Sequence, residues 1–161
     1  TVLALDRSAR DMIVALDMAG REPDHPALPF KPVFERAKAE GLGITIHAGE
    51  WSGPLNVREA ILEMGADRIG HGVRAVEDSR VVQLIVERQI PLEVCPTSNL
   101  HTGVVARLEH HPLIDLSYLK VPTTINTDDP APATNAPMVT ASRGPRVSAN
   151  TPAGICMAVY T

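Results

Sequence analysis

Several short apolar runs of this chain end in residues that can bind metal ions or move protons. Five such residues follow three runs: His47 and Glu50, then His71, then Asp128 and Asp129. Neutral imidazole is a common zinc ligand, and a neighbouring glutamate can carry a proton between a metal-bound water and a substrate. If each run is a strand, its carboxyl end delivers these side chains, and the arrangement predicts one shared site.

Two of these positions also allow a structural interpretation. His71 lies between Gly70 and Gly72, so its imidazole can face an open cavity and suits a base or an electrostatic role. The alternative is a turn histidine bonded to the backbone. Adjacent side chains on an extended backbone point in different directions, so one of Asp128 and Asp129 can face a metal and the other a substrate. Alternatively, the two acids cap the N-terminus of a helix.

The remaining candidate residues have simpler interpretations. Gly49 allows a ligand to approach closely where the strand ends. Cys95 is predicted to be a buried strand-end residue and not a nucleophile, because free cysteine is commonly buried and inert. Four histidines lie in predicted loops or at helix starts and are predicted to be on the surface: His25, His101, His110 and His111.

Strands that alternate with helices must position these side chains. We predict strands at 12–17, 44–47, 68–70, 91–95 and 121–126. We predict helices at 31–40, 56–64, 78–89 and 111–119, and the end of a helix at 1–10. This alternation is typical of an α/β fold with a parallel sheet. Roughly five βα units fit an open doubly wound sheet or part of a TIM-type (β/α) barrel, and side chains at successive strand ends favour the barrel.

Composition limits the class of protein. The 161 residues are enough for one ordinary domain, and a formal net charge of −4 with no run of Lys or Arg argues against nucleic acid as a partner. The apolar runs fall far short of the ~20 residues of a membrane helix, and the N-terminus lacks a signal-peptide pattern, so we expect a cytoplasmic protein with no membrane partner. The two cysteines lack Cys-x-x-Cys spacing and predict neither a disulfide framework nor a cysteine zinc site.

Four segments, in order and spacing, resemble the adenosine deaminase family. They are His-Ala-Gly-Glu at 47–50, Arg-Ile-Gly-His-Gly at 68–72, Cys-Pro-Thr-Ser-Asn at 95–99 and Asn-Thr-Asp-Asp-Pro at 126–130. Asp-Met-Ala-Gly at 17–20 is similar to another strand-end segment of that family. The resemblance implies a zinc-dependent (β/α)8 barrel that hydrolyses adenosine and 2'-deoxyadenosine to release ammonia, with a purine nucleoside as its small-molecule partner.

The resemblance also implies catalytic roles by matching position. His47 and Asp128 are the expected ligands of one zinc ion per family-length subunit. Glu50 is the expected proton donor to purine N1, and His71 is expected to orient or deprotonate the zinc-bound water. These roles are chemically consistent, because attack at purine C6 pushes electrons onto N1, where an acid stabilises the developing charge.

The same resemblance implies how the purine is held. Asp129 is expected to bind N7, and the backbone N–H of Gly20 is expected to bind N3. The segment 95–99 is expected to shape a loop without performing chemistry.

The chain departs from the family pattern at both ends. The family places two further zinc-binding histidines, as His-x-His, at the end of its first strand, and this sequence contains no such pattern. If Asp128 follows the eighth strand, 12–17 is the fourth. We therefore expect a fragment with roughly strands 4 to 8 of a barrel, inactive alone, with a partial deaminase domain at 1–130. We expect an irregular tail at 131–161, which does not resemble the family.

Two other functions remain open. Within the same chemistry, the chain could belong to a deaminase of adenine or another aminopurine, or to a more distant metal-dependent amidohydrolase. Gly70 favours adenosine, because the adenine-specific relatives tend to carry Asp at that position. In a different class, the chain could be a non-catalytic, truncated βα module, an interpretation that the missing His-x-His supports.

Overall fold

The chain has an α/β fold, with one sheet whose strands are connected largely by helices. A computed structural model describes residues 13–128, 149–150 and 156–160. Its strands are β1 (Ala15–Ala19), β2 (Gly43–Ala48), β3 (Arg68–His71), β4 (Leu92–Val94), β5 (Thr123–Ile125), β6 (Ala149–Asn150) and β7 (Cys156–Tyr160). Its α-helices are α1 (Lys31–Ala39), α2 (Pro54–Leu62), α3 (Ser79–Arg88), α4 (Pro96–His101) and α5 (Leu113–Tyr118). Within the part of the chain described, no helix is both long and apolar enough to cross a membrane.

The first strands of the sheet lie beside one another in chain order. The strand order among the described residues is β5-β4-β3-β2-β1-β7-β6, and β1 to β5 pair in parallel. An open doubly wound sheet reverses its strand order at a switch point, whereas a (β/α) barrel adds each strand beside the preceding one. The order from β1 to β5 does not reverse. The predicted α/β fold, an incomplete portion of a barrel-type sheet, is therefore confirmed.

The strand register sorts side chains onto two faces of the sheet. Ile46, Ile69 and Leu92 lie side by side across β2, β3 and β4, and all three are fully buried. Buried side chains of α1, α2 and α3 belong to the same core cluster. Because successive side chains of a strand point to opposite faces, His47 and its neighbour Gly70 face away from this core.

The last predicted helix and strand are shorter than expected. The His111 imidazole accepts the backbone N–H of Leu113 at 3.0 Å, and α5 begins at Leu113, two residues later than predicted. At the other end of α5, the Val121 N–H donates to the Leu116 carbonyl at 3.0 Å. Val121 is therefore bonded to the turn that closes the helix, and β5 begins at Thr123, later than predicted.

The tail predicted to be irregular contains two strands, so that prediction is wrong at 149–150 and 156–160. β7 pairs antiparallel with β1, and β6 pairs antiparallel with β7. The edge of a parallel sheet presents unpaired backbone N–H and C=O groups, and the apolar sequence at 156–160 has residue types that form strands. The other positions of 131–161, and the helix end predicted at 1–10, lie outside the described residues.

Candidate functional site

Three of the predicted site residues converge at the carboxyl ends of the parallel strands. Glu50 lies two residues beyond β2, His71 ends β3, and Asp128 lies three residues beyond β5. The His71 Nε2 atom is 3.4 Å from Glu50 Oε2 and 3.7 Å from Asp128 Oδ2. The strand ends therefore bring one imidazole and two carboxyl groups into a single polar cluster.

His71 enters this cluster through an unusual backbone conformation. Its φ is 62°, and Gly72 follows with a φ of 66°. A left-handed φ is uncommon for residues with a Cβ, and such strain concentrates at functional sites. The side chain is only 1% exposed. The prediction that it faces an open cavity is therefore wrong, because the ring is enclosed between the Glu50 carboxyl and the Asn99 amide.

The His47 ring occupies space that Gly70 leaves empty. A Cβ at Gly70 would lie 2.4 Å from His47 Cδ2. The ring also meets His71 edge to face, with the two ring centroids 4.9 Å apart, and its Nε2 atom lies 4.0 Å from Asp17 Oδ2. Gly70 therefore determines where the His47 imidazole can lie.

Gly49 serves the turn after β2 and the packing of α2. Its φ is 70°, which favours glycine, and a Cβ there would lie 2.4 Å from Val57 Cγ2. Gly49 therefore has a role in the turn and in packing, and its predicted role in the close approach of a ligand stays a prediction.

Glu22 is a site residue that the sequence analysis missed. Its buried carboxylate accepts four backbone N–H groups: those of Gly49 at 2.6 Å, Glu50 at 2.8 Å, Trp51 at 2.7 Å and Ser52 at 3.2 Å. Hydrogen bonds to an ionised acceptor are among the strong ones in proteins. Glu22 thereby fixes the turn that carries Glu50. Its position three residues after β1 is the signal that could have identified it, since other site residues also follow strand ends.

Asn99 belongs to the segment 95–99, which was expected to shape a loop, but it lies in α4 and connects the cluster to a buried histidine. Its Nδ2 atom lies 3.3 Å from Glu50 Oε1 and 3.2 Å from His71 Nδ1. Its Oδ1 atom lies 3.2 Å from His111 Nε2. His111 is 7% exposed, so its predicted surface position is wrong. No pattern in the sequence indicated this contact, which joins α4 to a residue two positions before α5.

Burial sets the protonation states of the cluster. It raises the pKa of Glu50 above the ordinary value, and the negative charge of Asp128 raises it further. It lowers the pKa of His71 to about 4, with a further lowering by His47 and an opposing effect of Asp128. Glu50 is thus held toward its protonated form, and His71 is neutral near pH 7. Burial also raises the pKa of the Cys95 thiol to about 12, in agreement with its predicted structural role.

The cluster has the donor atoms of a metal site. The ligand atoms of Glu50, His71 and Asp128 all lie within 4.8 Å of one another. The expected ligands were His47 and Asp128, so the two ligand sets share Asp128. Imidazole nitrogen and carboxylate oxygen are donors that zinc accepts, and both sets fit this ion chemically. Asp129, the second acid of the predicted pair, lies outside the described residues.

Comparison with known proteins assigns a family to this arrangement. The model of the adenosine deaminase family matches residues 1–139. The chain belongs to the adenosine deaminase family. A curated adenosine deaminase from Pectobacterium atrosepticum is 48% identical over 124 residues, which are 77% of this chain and 37% of that protein. The chain therefore spans little more than a third of the length of this curated relative.

Solved structures agree with membership of the adenosine deaminase family. The chain superposes on an adenine deaminase from Arthrobacter aurescens with a TM-score of 0.68 and 36% identity, over 71% of this chain and 35% of that one. It superposes on an amidohydrolase from Burkholderia ambifaria, solved with bound Zn, with a TM-score of 0.64 and 29% identity, over 71% of this chain and 32% of that one. The predicted family is therefore confirmed.

Replacing Gly70 by Ala is expected to displace the His47 ring, because the added Cβ would lie 2.4 Å from His47 Cδ2. In the family-length protein we expect the His47 imidazole signals to shift in 1H–15N NMR spectra. Zinc affinity, measured by competition with a chelator, should fall about 10-fold or more. The control is Gly53→Ala, since Gly53 has a φ of −78° and no atom within 4 Å of an added Cβ. Unmoved His47 signals in both variants would contradict this steric argument.

Replacing Glu22 by Gln is expected to loosen the turn that carries Glu50. The amide would direct an NH2 group at backbone N–H donors, which leaves buried groups unsatisfied and costs about 1–3 kcal/mol of unfolding free energy. Chemical denaturation and faster amide hydrogen exchange at 49–52 measure the effect. The control is Glu35→Gln on the exposed side of α1, with an expected change within about 0.5 kcal/mol. Equal stability of the two variants would refute the role of Glu22.

Proposed function

We propose that the family-length protein containing this chain hydrolyses adenosine and 2'-deoxyadenosine to their inosine products and ammonia, with zinc as cofactor. The observation that carries the proposal is the buried Glu50 carboxyl, held toward its protonated form beside His71 and Asp128. Membership of the adenosine deaminase family supports the reaction class, a hydrolase acting on a C–N bond. The partner of the site is accordingly a small purine nucleoside.

His47 and Asp128 would hold the zinc ion. Their nitrogen and oxygen donors are those that zinc takes, and the related Burkholderia ambifaria amidohydrolase was solved with bound Zn. A catalytic zinc usually has three protein ligands, so at least one more ligand would be needed beside these two. When bound, the ion supplies positive charge that makes water a stronger nucleophile near neutral pH.

Glu50 would act as the proton donor to the purine ring. Attack of water at C6 pushes electrons onto N1, and an acid beside N1 stabilises that charge. The Asn99 amide holds Glu50 Oε1 at 3.3 Å, while Glu22 holds the backbone of the turn. The carboxyl is therefore fixed from two sides, and its raised pKa keeps a proton available.

Gly20 and Asp129 would hold the purine. Gly20 directly follows β1, at the same sheet edge as the polar cluster, and its backbone N–H would donate to N3. Asp129, which lies outside the described residues, would bind N7.

A second candidate substrate is adenine. The similarity to the adenine deaminase of Arthrobacter aurescens favours it. Adenine and adenosine carry the same 6-amino group, so the same cluster of residues could serve either reaction.

Release of ammonia tests these functions directly. The zinc-loaded family-length protein should release ammonia from adenosine faster than from adenine, and the 161-residue chain with zinc should release none. If ammonia is released faster from adenine, adenine replaces adenosine as the proposed substrate. No release from any aminopurine by either protein would reject the deaminase proposal and leave the non-catalytic βα module.

Replacing Glu50 by Gln in the family-length protein is expected to lower kcat by about 10²- to 10⁴-fold, because the amide cannot supply the proton. Bound zinc, measured by elemental analysis, should remain. Glu35→Gln, which keeps the same chemical change on an exposed part of α1, should leave kcat unchanged. An unchanged kcat in the Glu50 variant would refute the proton-donor role.

A further inference from the structure

A line of buried polar groups runs from the start of α5 to the polar cluster. It passes from the Leu113 N–H through His111 and Asn99 to His71. We infer that His111 and Asn99 are positioning residues that hold neutral His71 with its proton on Nε2. His71 then acts in the site as a hydrogen-bond donor that orients the attacking oxygen, and the proton that the water loses would pass to solvent when a bound ion lowers the pKa of the water. The catalytic half of this inference rests on the proposed function.

The line begins at a group whose role is unambiguous. A backbone N–H can only donate, and that of Leu113 lies 3.0 Å from His111 Nδ1. His111 Nδ1 must therefore accept, and a neutral ring then carries its proton on Nε2. Burial lowers the pKa of His111, which favours this neutral ring near pH 7.

The proton on His111 Nε2 in turn orients the Asn99 amide. That nitrogen lies 3.2 Å from Asn99 Oδ1, which accepts the hydrogen bond. A flipped amide would set its NH2 group against the N–H of His111, so that two donors would face each other. Asn99 is fully buried, so a flipped amide would have to leave these groups unsatisfied. The Asn99 NH2 group therefore faces the polar cluster.

The two hydrogens of that NH2 group have one acceptor each. Asn99 Nδ2 lies 3.2 Å from His71 Nδ1 and 3.3 Å from Glu50 Oε1. His71 Nδ1 must accept, so the neutral ring carries its proton on Nε2. The surroundings agree, because His71 Nε2 faces carboxyl oxygens of Glu50 at 3.4 Å and Asp128 at 3.7 Å.

This tautomer restricts what His71 can do. A general base, or a metal ligand bound through Nε2, needs a free electron pair on that nitrogen. A neutral imidazole cannot supply one while its Nδ1 atom also accepts from Asn99. His71 is thus left as a donor to the oxygen that attacks the purine. The same restriction makes His47 the better imidazole ligand for the ion.

The test is the tautomer of His71 in the zinc-loaded family-length protein, measured by long-range 1H–15N NMR with 15N-labelled histidine. We expect both His71 and His111 to carry their protons on Nε2. A His71 proton on Nδ1 would overturn the inference. The spectrum needs no turnover, so it decides the tautomer even if the protein released no ammonia, an outcome that would reject only the proposed function.

Substitution of His111 tests the line itself. His111→Leu removes the donor to Asn99, so we expect a mixture of His71 tautomers and a kcat lowered about 10- to 100-fold, with a smaller change in KM. His111→Gln can accept from Leu113 and donate to Asn99, so it should restore a single tautomer and most of kcat. His110→Gln is the control, because His110 is exposed on the neighbouring position. A single Nε2 tautomer and unchanged kcat in His111→Leu would overturn the positioning role. If His111→Leu does not fold, the tautomer of His71 in the wild-type protein and in His111→Gln still tests the positioning role of His111.

Discussion

Parallel pairing of β2 with β3 sets His47 beside Gly70 and Ala48 beside His71. Both strands end at the same edge of the sheet, and the missing Cβ of Gly70 gives the His47 ring its space. A shift of the pairing by one residue would turn His47 toward the face that Ile46 now fills, because side chains alternate along a strand. The buried side chains of Ile46, Ile69 and Leu92 therefore fix the register, and with it the side chains that can form the site.

Burial at the strand ends would destabilise the fold if the polar groups lacked partners. Four backbone N–H groups of the turn after β2 donate to the Glu22 carboxylate. The nitrogen and the oxygen of the Asn99 amide each have a hydrogen-bond partner. The same burial raises the pKa of Glu50 and lowers that of His71. The burial that makes these partners necessary thus also sets the protonation states on which the proposed deamination depends.

The sequence predicted the elements and the strand-end residues because both depend on local patterns. Apolar runs with polar ends located β2 and β3 to within a few residues, together with His47, Glu50 and His71. The resemblance to the adenosine deaminase family was carried by the same strand ends. Local patterns are informative here because each strand of a parallel sheet delivers its terminal side chains to one edge.

Contacts between distant segments could not be predicted in this way. Glu22 meets a turn that begins 27 residues later, and His111 meets Asn99, which lies 12 residues earlier in the chain. The expected surface position of His111 failed for this reason. The strands of the tail were also missed, since a short apolar segment at 156–160 does not show that it pairs with the edge of β1.

Zinc anomalous diffraction from crystals of the family-length protein is the most direct test of the account. We predict an ion bound at about 2.0–2.2 Å to a His47 nitrogen and an Asp128 oxygen, the usual distances for zinc. His71 and Glu50 should lie outside the coordination sphere, close enough to contact a bound water or purine. An ion coordinated by His71 and Glu50, with His47 unbound, would contradict the account.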